Sequence, residues 1–205
     1  MELEVLNNGM FDSNSYLLID NNEAVLIDAG VPSKSVLDTL HRRNANLKYI
    51  LLTHGHIDHI CSADEIRKST GASILIHKDD SSSLTDAGNN LSSDFMSPFV
   101  YDRADKELGD GDEIELGSAV IKVIHTPGHS RGGCCYLTGN ILFSGDTLFA
   151  GSIGRTDFYD GDYKRLISSI KEKLFILPEK TRVYPGHGNE TTIGDEIRYN
   201  PFLNL

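Results

Sequence analysis

The stretch that decides the fold is residues 53–59, Thr53-His54-Gly55-His56-Ile57-Asp58-His59, which directly follows the apolar run 49–52. In an extended segment, residues two apart share one side, so the imidazoles of His54 and His56 can converge on one point. Asp58 and His59 can serve a second point nearby. Imidazole nitrogen and carboxylate oxygen are ligands that Zn²⁺, Mn²⁺ and Fe²⁺ accept. The stretch therefore predicts a metal site, with the potential to be binuclear, on a loop at the end of a strand.

Strand and helix patterns alternate on both sides of this stretch. Apolar runs of strand length occur at 3–6, 15–19, 24–27, 49–52, 73–76, 113–116, 119–124, 134–137, 140–143 and 181–184. Helix patterns occur at about 33–40, at 63–68 before Gly71, at 162–175 and at 193–198. This alternation predicts an α/β fold with layers of sheet and helix. The Ser-, Asp- and Asn-rich segment 78–102 is expected to form a short helix and then a mobile loop at the rim of a site.

The composition restricts the classes of function. The chain has 205 residues, enough for one globular domain with a sizeable core. Its 19 Lys and Arg residues stand against 30 Asp and Glu residues, which gives a formal charge of −11. Such acidity argues against nucleic acids and anionic membranes as partners, because both bind clustered positive charge. No basic segment followed by a long apolar one occurs at the start, so neither a signal peptide nor a membrane anchor is expected.

The three cysteines, Cys61, Cys134 and Cys135, do not form the pattern of a disulfide framework. This favours a reducing compartment and predicts a cytoplasmic protein. Cys134 and Cys135 are adjacent in a predicted strand, so their side chains point to opposite faces and only one is expected to face the core. Cys61 is expected to be a small buried thiol rather than a metal ligand.

Further candidate ligands follow later strands. Each comes directly after a glycine, which suits a tight turn that directs one side chain. The stretches are Thr126-Pro127-Gly128-His129, Phe143-Ser144-Gly145-Asp146-Thr147 and Tyr184-Pro185-Gly186-His187-Gly188. With the first stretch they supply seven potential donors: His54, His56, Asp58, His59, His129, Asp146 and His187. Two ions that share a carboxylate and a water use about that number of ligands. The remaining histidines lack ligand spacing and are expected to have ordinary surface or core roles: His41, His77 and His125.

The order T-H-x-H-x-D-H, then His, Asp and His, resembles the signature of the metallo-β-lactamase-fold hydrolases. Asp28, in Ile27-Asp28-Ala29-Gly30, matches the early acidic motif of that family. Stretches 126–130, 143–149, 151–158 and 200–203 are most similar to the compact hydroxyacylglutathione-hydrolase-like, or glyoxalase II-like, proteins. The resemblance implies an αββα sandwich with its metals at one edge of the two sheets. Residues 1–205 are expected to form this single domain, without the C-terminal helical substrate domain of the full-length enzyme.

The resemblance also implies a role for each candidate. The first ion would be bound by His54, His56 and His129, the second by Asp58, His59 and His187, and both by Asp146. Asp28 would orient ligands from behind the site. A hydroxide between the ions would be the nucleophile, oriented by Asp58. Two divalent ions are the implied cofactors, with zinc preferred over iron or manganese.

Arg155 aligns with the cationic position that holds a glutathione carboxylate in glyoxalase II. An Arg can bind a carboxylate through two hydrogen bonds, so that role is chemically sound. The aromatic residue that the family places two positions further on is Asp157 here. The implied function is hydrolysis of a small thioester or ester, with S-2-hydroxyacylglutathione, a glutathione conjugate, as the specific candidate. The departure at Asp157 leaves that substrate open.

Three other functions of the same fold compete with this interpretation. A mononuclear iron persulfide dioxygenase is the main alternative, because those enzymes resemble this chain around residues 154–158. A nuclease is disfavoured by the charge of −11, and a binding module without activity is disfavoured because every ligand position is filled. A β-lactamase is disfavoured because no secretion signal is present and the bridging position is Asp146 rather than cysteine.

Overall fold

The first half of the chain forms a six-stranded mixed sheet in the computed structural model, which describes residues 1–203. The strands lie side by side in chain order: β1 (Glu2–Leu6), β2 (Ser15–Asp20), β3 (Glu23–Ile27), β4 (Asn46–Leu52), β5 (Ser73–His77) and β6 (Lys106–Leu108). Strands β1 to β3 are antiparallel neighbours. Strands β3 to β6 run parallel, so their carboxyl ends meet at one edge of the sheet.

The second half contributes a second six-stranded sheet and a small ladder. Its strands are β7 (Glu113–Leu116), β8 (Ala119–His125), β9 (Cys134–Thr138), β10 (Ile141–Gly145), β11 (Leu148–Phe149), β12 (Ser152–Ile153), β13 (Arg182–Pro185) and β14 (Thr191–Thr192). The sheet has the order β14-β13-β10-β9-β8-β7, and β11 pairs with β12. Because β10 is parallel to β13 and antiparallel to β9, which is antiparallel to β8, the carboxyl ends of β8, β10 and β13 share one edge.

Helices lie on the outer faces of both sheets and along one of their edges. They are α1 (Ser33–Arg43), α2 (Ile57–Ile60), α3 (Ala63–Thr70), α4 (Ser92–Phe95), α5 (Tyr163–Ser169) and α6 (Ile193–Tyr199), with a π-helical turn over Ile170–Leu174 after α5. Gly71 ends α3 in the left-handed conformation, as its place after the helix pattern predicted. Among residues 1–203, every helix is too short or too polar to cross a bilayer.

The core is divided into three layers by the two sheets. Alternation along β2 sends Leu18 toward the second sheet and Leu17 toward the outer helices. Ile50 and Leu51 on β4 divide in the same way, which explains why these strands are continuous apolar runs. A third cluster lies between the second sheet and α5, around Leu166. The expected αββα sandwich is therefore confirmed.

The expectation that only one of two adjacent cysteines faces the core is wrong. Cys134 packs between the sheets, and Cys135 packs beneath the helices on the other side of β9. Both side chains are buried, because helices and a second sheet cover the two faces of this strand. Adjacent residues on a central strand of a four-layer protein can thus both belong to the core.

The segment after β5 is held by buried hydrogen bonds, although its composition predicted a mobile loop. It contains a 3₁₀ turn over Lys78–Leu84 and then α4. Between them, the fully buried Asn90 side chain donates to the carbonyls of Ser83 at 3.0 Å and Phe99 at 3.1 Å. Its oxygen accepts from the backbone N–H of Ser92 at 2.9 Å. These bonds hold α4 beside the edge where the candidate ligands lie.

Candidate metal centre

The seven predicted donors come together at the carboxyl edges of the two sheets. The loop after β4 carries two of them and the short helix α2 that follows carries two more, while the loops after β8, β10 and β13 carry one each. The donors form two groups of three whose ligand atoms lie within 4.8 Å of one another, and Asp146 lies beside both. The groups are His54 with His56 and His129, and Asp58 with His59 and His187.

In the first group, hydrogen bonds to one ring nitrogen of His54 and of His129 determine which nitrogen carries the proton. The Thr53 hydroxyl donates to Asp28 Oδ2 at 2.8 Å, so it accepts from His54 Nδ1 at 3.1 Å. This leaves the lone pair on His54 Nε2. His129 Nδ1 donates to the Arg155 carbonyl at 2.8 Å, which leaves the lone pair on its Nε2. That atom lies 2.9 Å from His56 Nδ1, so the three rings aim nitrogens at a common point.

The second group combines two imidazoles and a carboxylate. His59 Nδ1 donates to Asp28 Oδ2 at 2.8 Å, and its Nε2 lies 3.6 Å from Asp58 Oδ2. His187 Nε2 lies 3.1 Å from the same carboxylate oxygen and 3.4 Å from His59 Nε2. Asp28 thus lies behind both groups, touching a ligand of the second directly and a ligand of the first through Thr53.

Asp146 lies between the two groups. Its Oδ1 is 3.3 Å from His59 Nε2 of the second group. Its Oδ2 is 3.6 Å from His129 Nε2 of the first group and 3.7 Å from His187 Nε2. One carboxylate thus faces both sets of donors, which is the placement that a bridging ligand requires.

Two buried atoms test whether metal ions fit these residues. Within residues 1–203, His54 Nε2 and Asp146 Oδ1 are the buried side-chain nitrogen and oxygen atoms that lack a hydrogen-bond partner. A buried acceptor without a partner is costly, and a cation would satisfy both atoms. A Cβ atom on Gly186 would lie 2.2 Å from Asp146 Oδ1, so the glycine keeps this space open. With nitrogen and oxygen donors throughout, the residues fit a pair of divalent ions.

The electrostatics of His54, His56 and Asp146 favour the forms that bind metals. Burial and the neighbouring imidazoles hold the pKa of His54 well below its usual value, and burial with His129 lowers the pKa of His56 to about 3. Both rings are therefore neutral near pH 7. Burial alone would raise the pKa of Asp146, but His59 and the other imidazoles outweigh it and keep the carboxyl ionised.

Asp28 occupies a strained position that its contacts explain. Its φ of 56° lies in the left-handed region, which non-glycine residues adopt rarely. The carboxylate accepts from the Thr53 backbone N–H at 2.7 Å as well as from Thr53 Oγ1 and His59 Nδ1. These bonds place Asp28 behind the donors, where the resemblance predicts a residue that orients ligands.

Arg155 lies on the rim of a cavity of about 400 Å³ above the donors. Its guanidinium is bound by Asp157 through two hydrogen bonds of 2.7 Å, and it lies 4.2 Å from the centre of the Phe158 ring. The structure therefore places the predicted substrate cation at the site but already pairs it with a carboxylate. Its backbone carbonyl orients His129, a contribution that the sequence did not suggest.

Asp80 belongs to the site but was not predicted. Its buried carboxylate accepts from the backbone N–H groups of Gly55 at 3.2 Å and Gly132 at 2.5 Å. It also accepts from Ser130 Oγ at 2.7 Å. Asp80 therefore ties the loop between His54 and His56 to the loop that carries His129. The available signal was its position three residues after β5, at the edge where the ligand loops begin.

An apolar wall around the cavity was also not predicted. It is formed by Phe11, Leu91, Phe95, Phe149, Ile153 and Phe158. Phe11 and Phe95 pack edge to face with ring centres 5.7 Å apart, although they are separated by 84 positions in the chain (95 minus 11). No local spacing links such residues, so only the folded chain brings them together.

Cys61, His77 and His125 do not join the site. Cys61 is half-buried and lies 3.3 Å from the Gly30 carbonyl. His77 and His125 stack with ring centres 3.9 Å apart and an interplanar angle of 13°. Their donors lie close to Asp79, but the lone pairs of stacked rings run parallel and do not converge on one ion. His125 Nε2 is instead 2.9 Å from the Arg131 carbonyl.

The buried His77 is expected to make stability depend on acid. Burial and His125 lower the pKa of His77 to about 4, while Asp79, Lys78 and Asp110 face it with weaker effects. The unfolded chain, with a His pKa of about 6.5, binds more protons between pH 6.5 and 4. Stability from this group is complete above that window and falls as the pH decreases through it. In urea unfolding, the free energy of unfolding should therefore fall by about 2 kcal/mol less between pH 7 and pH 5 in His77→Gln than in wild type.

The exposed His41 supplies the matched control for this prediction. His41→Gln should keep the wild-type difference between pH 7 and 5. An unchanged difference in His77→Gln would show that the buried ring does not cause the acid sensitivity.

The sequence matches a known protein family and a related hydrolase over most of its length. The profile of the Metallo-beta-lactamase superfamily matches residues 8–187. Hydroxyacylglutathione hydrolase GloC of Haemophilus influenzae is 35% identical over 211 residues, which cover 100% of this chain and 99% of that protein.

Solved structures of proteins with related sequences have the same fold. BLEG-1, described as a B3 metallo-beta-lactamase, superposes with a TM-score of 0.95 at 37% identity and covers 100% of both chains. TTHA1623, solved in a di-iron-bound form, gives a TM-score of 0.86 at 33% identity over 98% of this chain and 100% of that one. ETHE1 from Myxococcus xanthus gives a TM-score of 0.80 at 31% identity over 98% of this chain and 84% of that one.

Proposed function

The chain belongs to the metallo-beta-lactamase superfamily, and from that premise we propose that it is a binuclear metallohydrolase that cleaves a small thioester or ester. One observation carries the proposal. Two groups of three donors share Asp146 at the base of a cavity large enough for a small molecule. A related hydrolase that matches the whole chain supports the same class of reaction.

The roles of the residues follow from their positions. The predicted ligand sets are His54, His56 and His129 for one ion, Asp58, His59 and His187 for the other, and Asp146 for both. Divalent ions held there would lower the pKa of a water molecule and polarise the carbonyl of the substrate. Asp58 lines the cavity, so its carboxylate can accept a proton of the attacking water and orient it. Asp28 keeps His59 in the tautomer that presents Nε2.

The leaving group distinguishes thioesters from amides. Apart from the predicted ligands, Arg155 is the charged or titrating side chain among the residues that line the cavity. Arg does not give up its proton near neutral pH, so the proton that Asp58 accepts from the attacking water is the one available to a departing amine. A thiolate, with a pKa of about 8.5, departs without protonation. A thioester therefore requires no proton transfer to its leaving group in this cavity.

The proposal also covers the metal, the binding partner and the cell compartment. Zinc is proposed for both positions, and iron is the alternative that the di-iron form of TTHA1623 favours. A small molecule is the proposed partner, with a glutathione conjugate as one candidate and with neither nucleic acid nor membrane involved. The charge of −11 argues against those two partners, and the cysteine pattern supports action in the cytoplasm.

Metal analysis combined with a substrate panel tests the proposal. The purified protein, loaded separately with zinc, iron and manganese, should bind about two ions per chain. It should hydrolyse thioesters faster than esters, phosphodiesters or β-lactams. One ion or none, together with no thioester hydrolysis by any loaded form, would overturn the proposal. Faster turnover of a β-lactam would instead favour the activity named for BLEG-1.

A mononuclear iron persulfide dioxygenase remains the second candidate. It is favoured by residues 154–158 and by the similarity to ETHE1. The six donors around Asp146 argue for two ions rather than one. Oxygen consumption with glutathione persulfide, measured on the iron-loaded protein, distinguishes the two functions, because a hydrolase consumes no oxygen.

A further inference from the structure

We infer that the substrate is a thioester with an uncharged, apolar group, and that Asp157 disfavours substrates that carry carboxylates, glutathione thioesters included. The inference rests on the proposed function and narrows its substrate class. It comes from the Arg155–Asp157 pair and from the apolar wall, which lie at the same cavity mouth.

The first step concerns the charge on Arg155. Its Nε and Nη2 atoms donate to the two oxygens of Asp157, each at 2.7 Å. The pair has no net charge, and the Asp157 carboxylate would lie beside any anion that approached the guanidinium. Arg155 is 57% exposed and Asp157 is 67% exposed, so water weakens but does not remove this effect.

The second step concerns the other charges of the cavity. Arg155 is the one Lys or Arg residue among those that line it. A glutathione group has two carboxylates, and at the cavity mouth they would meet one side-chain cation, which is already paired. A substrate without carboxylates avoids this mismatch.

The third step concerns the apolar wall. Phe11 is 55% exposed and Phe95 is 52% exposed, although each is a large aromatic side chain at a cavity mouth. Phe11 has a φ of 52°, a conformation that is rare for an aromatic residue. Exposed aromatic groups beside a cavity mark the place where an apolar part of a ligand is buried.

Matched thioesters test the inference directly. One acyl group is attached either to glutathione or to butanethiol, and kcat/KM is measured for both with metal-loaded protein. Wild type should favour the butanethiol ester. Asp157→Asn should raise the ratio of glutathione to butanethiol kcat/KM about two- to fivefold, mainly through KM, because one paired and solvent-exposed carboxylate charge is removed. Phe95→Ser should lower kcat/KM for the butanethiol ester about tenfold.

Two further residues of the same loop, the half-buried Asp160 and the exposed Tyr159, provide controls. Asp160→Asn and Tyr159→Ser change a carboxylate and an aromatic ring that do not line this cavity, so neither should alter the ratio. A wild-type preference for the glutathione ester, or an unchanged ratio in Asp157→Asn, would overturn the inference.

A binding measurement separates this inference from the proposed function. Calorimetry with S-hexylglutathione, which cannot be hydrolysed, should show tighter binding to Asp157→Asn than to wild type by a similar factor. If no thioester is hydrolysed but the calorimetric difference is present, the proposed function fails and the inference about charge stands. If thioesters are hydrolysed and the difference is absent, the inference fails alone.

Discussion

Asp146→Ala is expected to lower kcat/KM for thioester hydrolysis by about a thousandfold or more and to leave the protein unable to retain two ions. The physical reason is the position of the carboxylate, which faces His59 at 3.3 Å and His129 at 3.6 Å. Both groups of donors lose a negative ligand at once. Elemental analysis after gel filtration and steady-state kinetics with added metal measure the two effects.

Asp146→Asn and Asp195→Ala make this result interpretable. Asp146→Asn keeps the size of the side chain, so loss of ions in this variant reports on charge rather than on packing. Asp195 is an exposed residue of α6 outside both donor groups, and its replacement should retain two ions and the wild-type rate. Two retained ions and an unchanged rate in Asp146→Ala would show that this carboxylate bridges nothing.

Removal of the ions is expected to lower the melting temperature by about 10 °C or more. A ligand present at about 10⁴ times its dissociation constant stabilises the folded chain by about 5 kcal/mol. For a chain of this size, each kcal/mol corresponds to about 2–4 °C. Without cations, the neutral His54 nitrogen and the ionised Asp146 oxygen remain buried without partners. Thermal unfolding should be recorded before dialysis against a chelator, after it, and after zinc is restored.

The Asp146→Ala protein is the control for this measurement. Its melting temperature should respond little to the chelator, because it has few ions to lose. Equal melting of the loaded and stripped wild-type proteins would mean that the donors do not bind metal tightly. A melting temperature that fails to recover with zinc would instead point to irreversible unfolding.

The sequence was most informative where chemistry is encoded locally. The spacing of His54, His56, Asp58 and His59 on one loop predicted that these side chains converge, and the structure brings them together. The glycine before each later donor predicted a turn at a strand end. The family and the fold class are confirmed, whereas the identity of the ligands remains a prediction.

The sequence was least informative where long-range packing decides. Asp80 orients two ligand loops through backbone groups at positions 55 and 132, which no spacing rule connects to it. Strand β6 has three residues and is recognisable only by its pairing with β5. Cys135 was misjudged because burial of both faces of β9 depends on what packs against the sheet rather than on the strand itself.

The distances along the chain between the donors have a consequence for synthesis. His187 meets Asp58 across 129 positions, and His129 meets His56 across 73. Contacts of such long range form late in folding, because a large loop must close before they are made. Under the proposed ligand assignment, the second group of donors is complete only once residue 187 has been synthesised. An ion held by that group would therefore bind after all residues of the first sheet have been made.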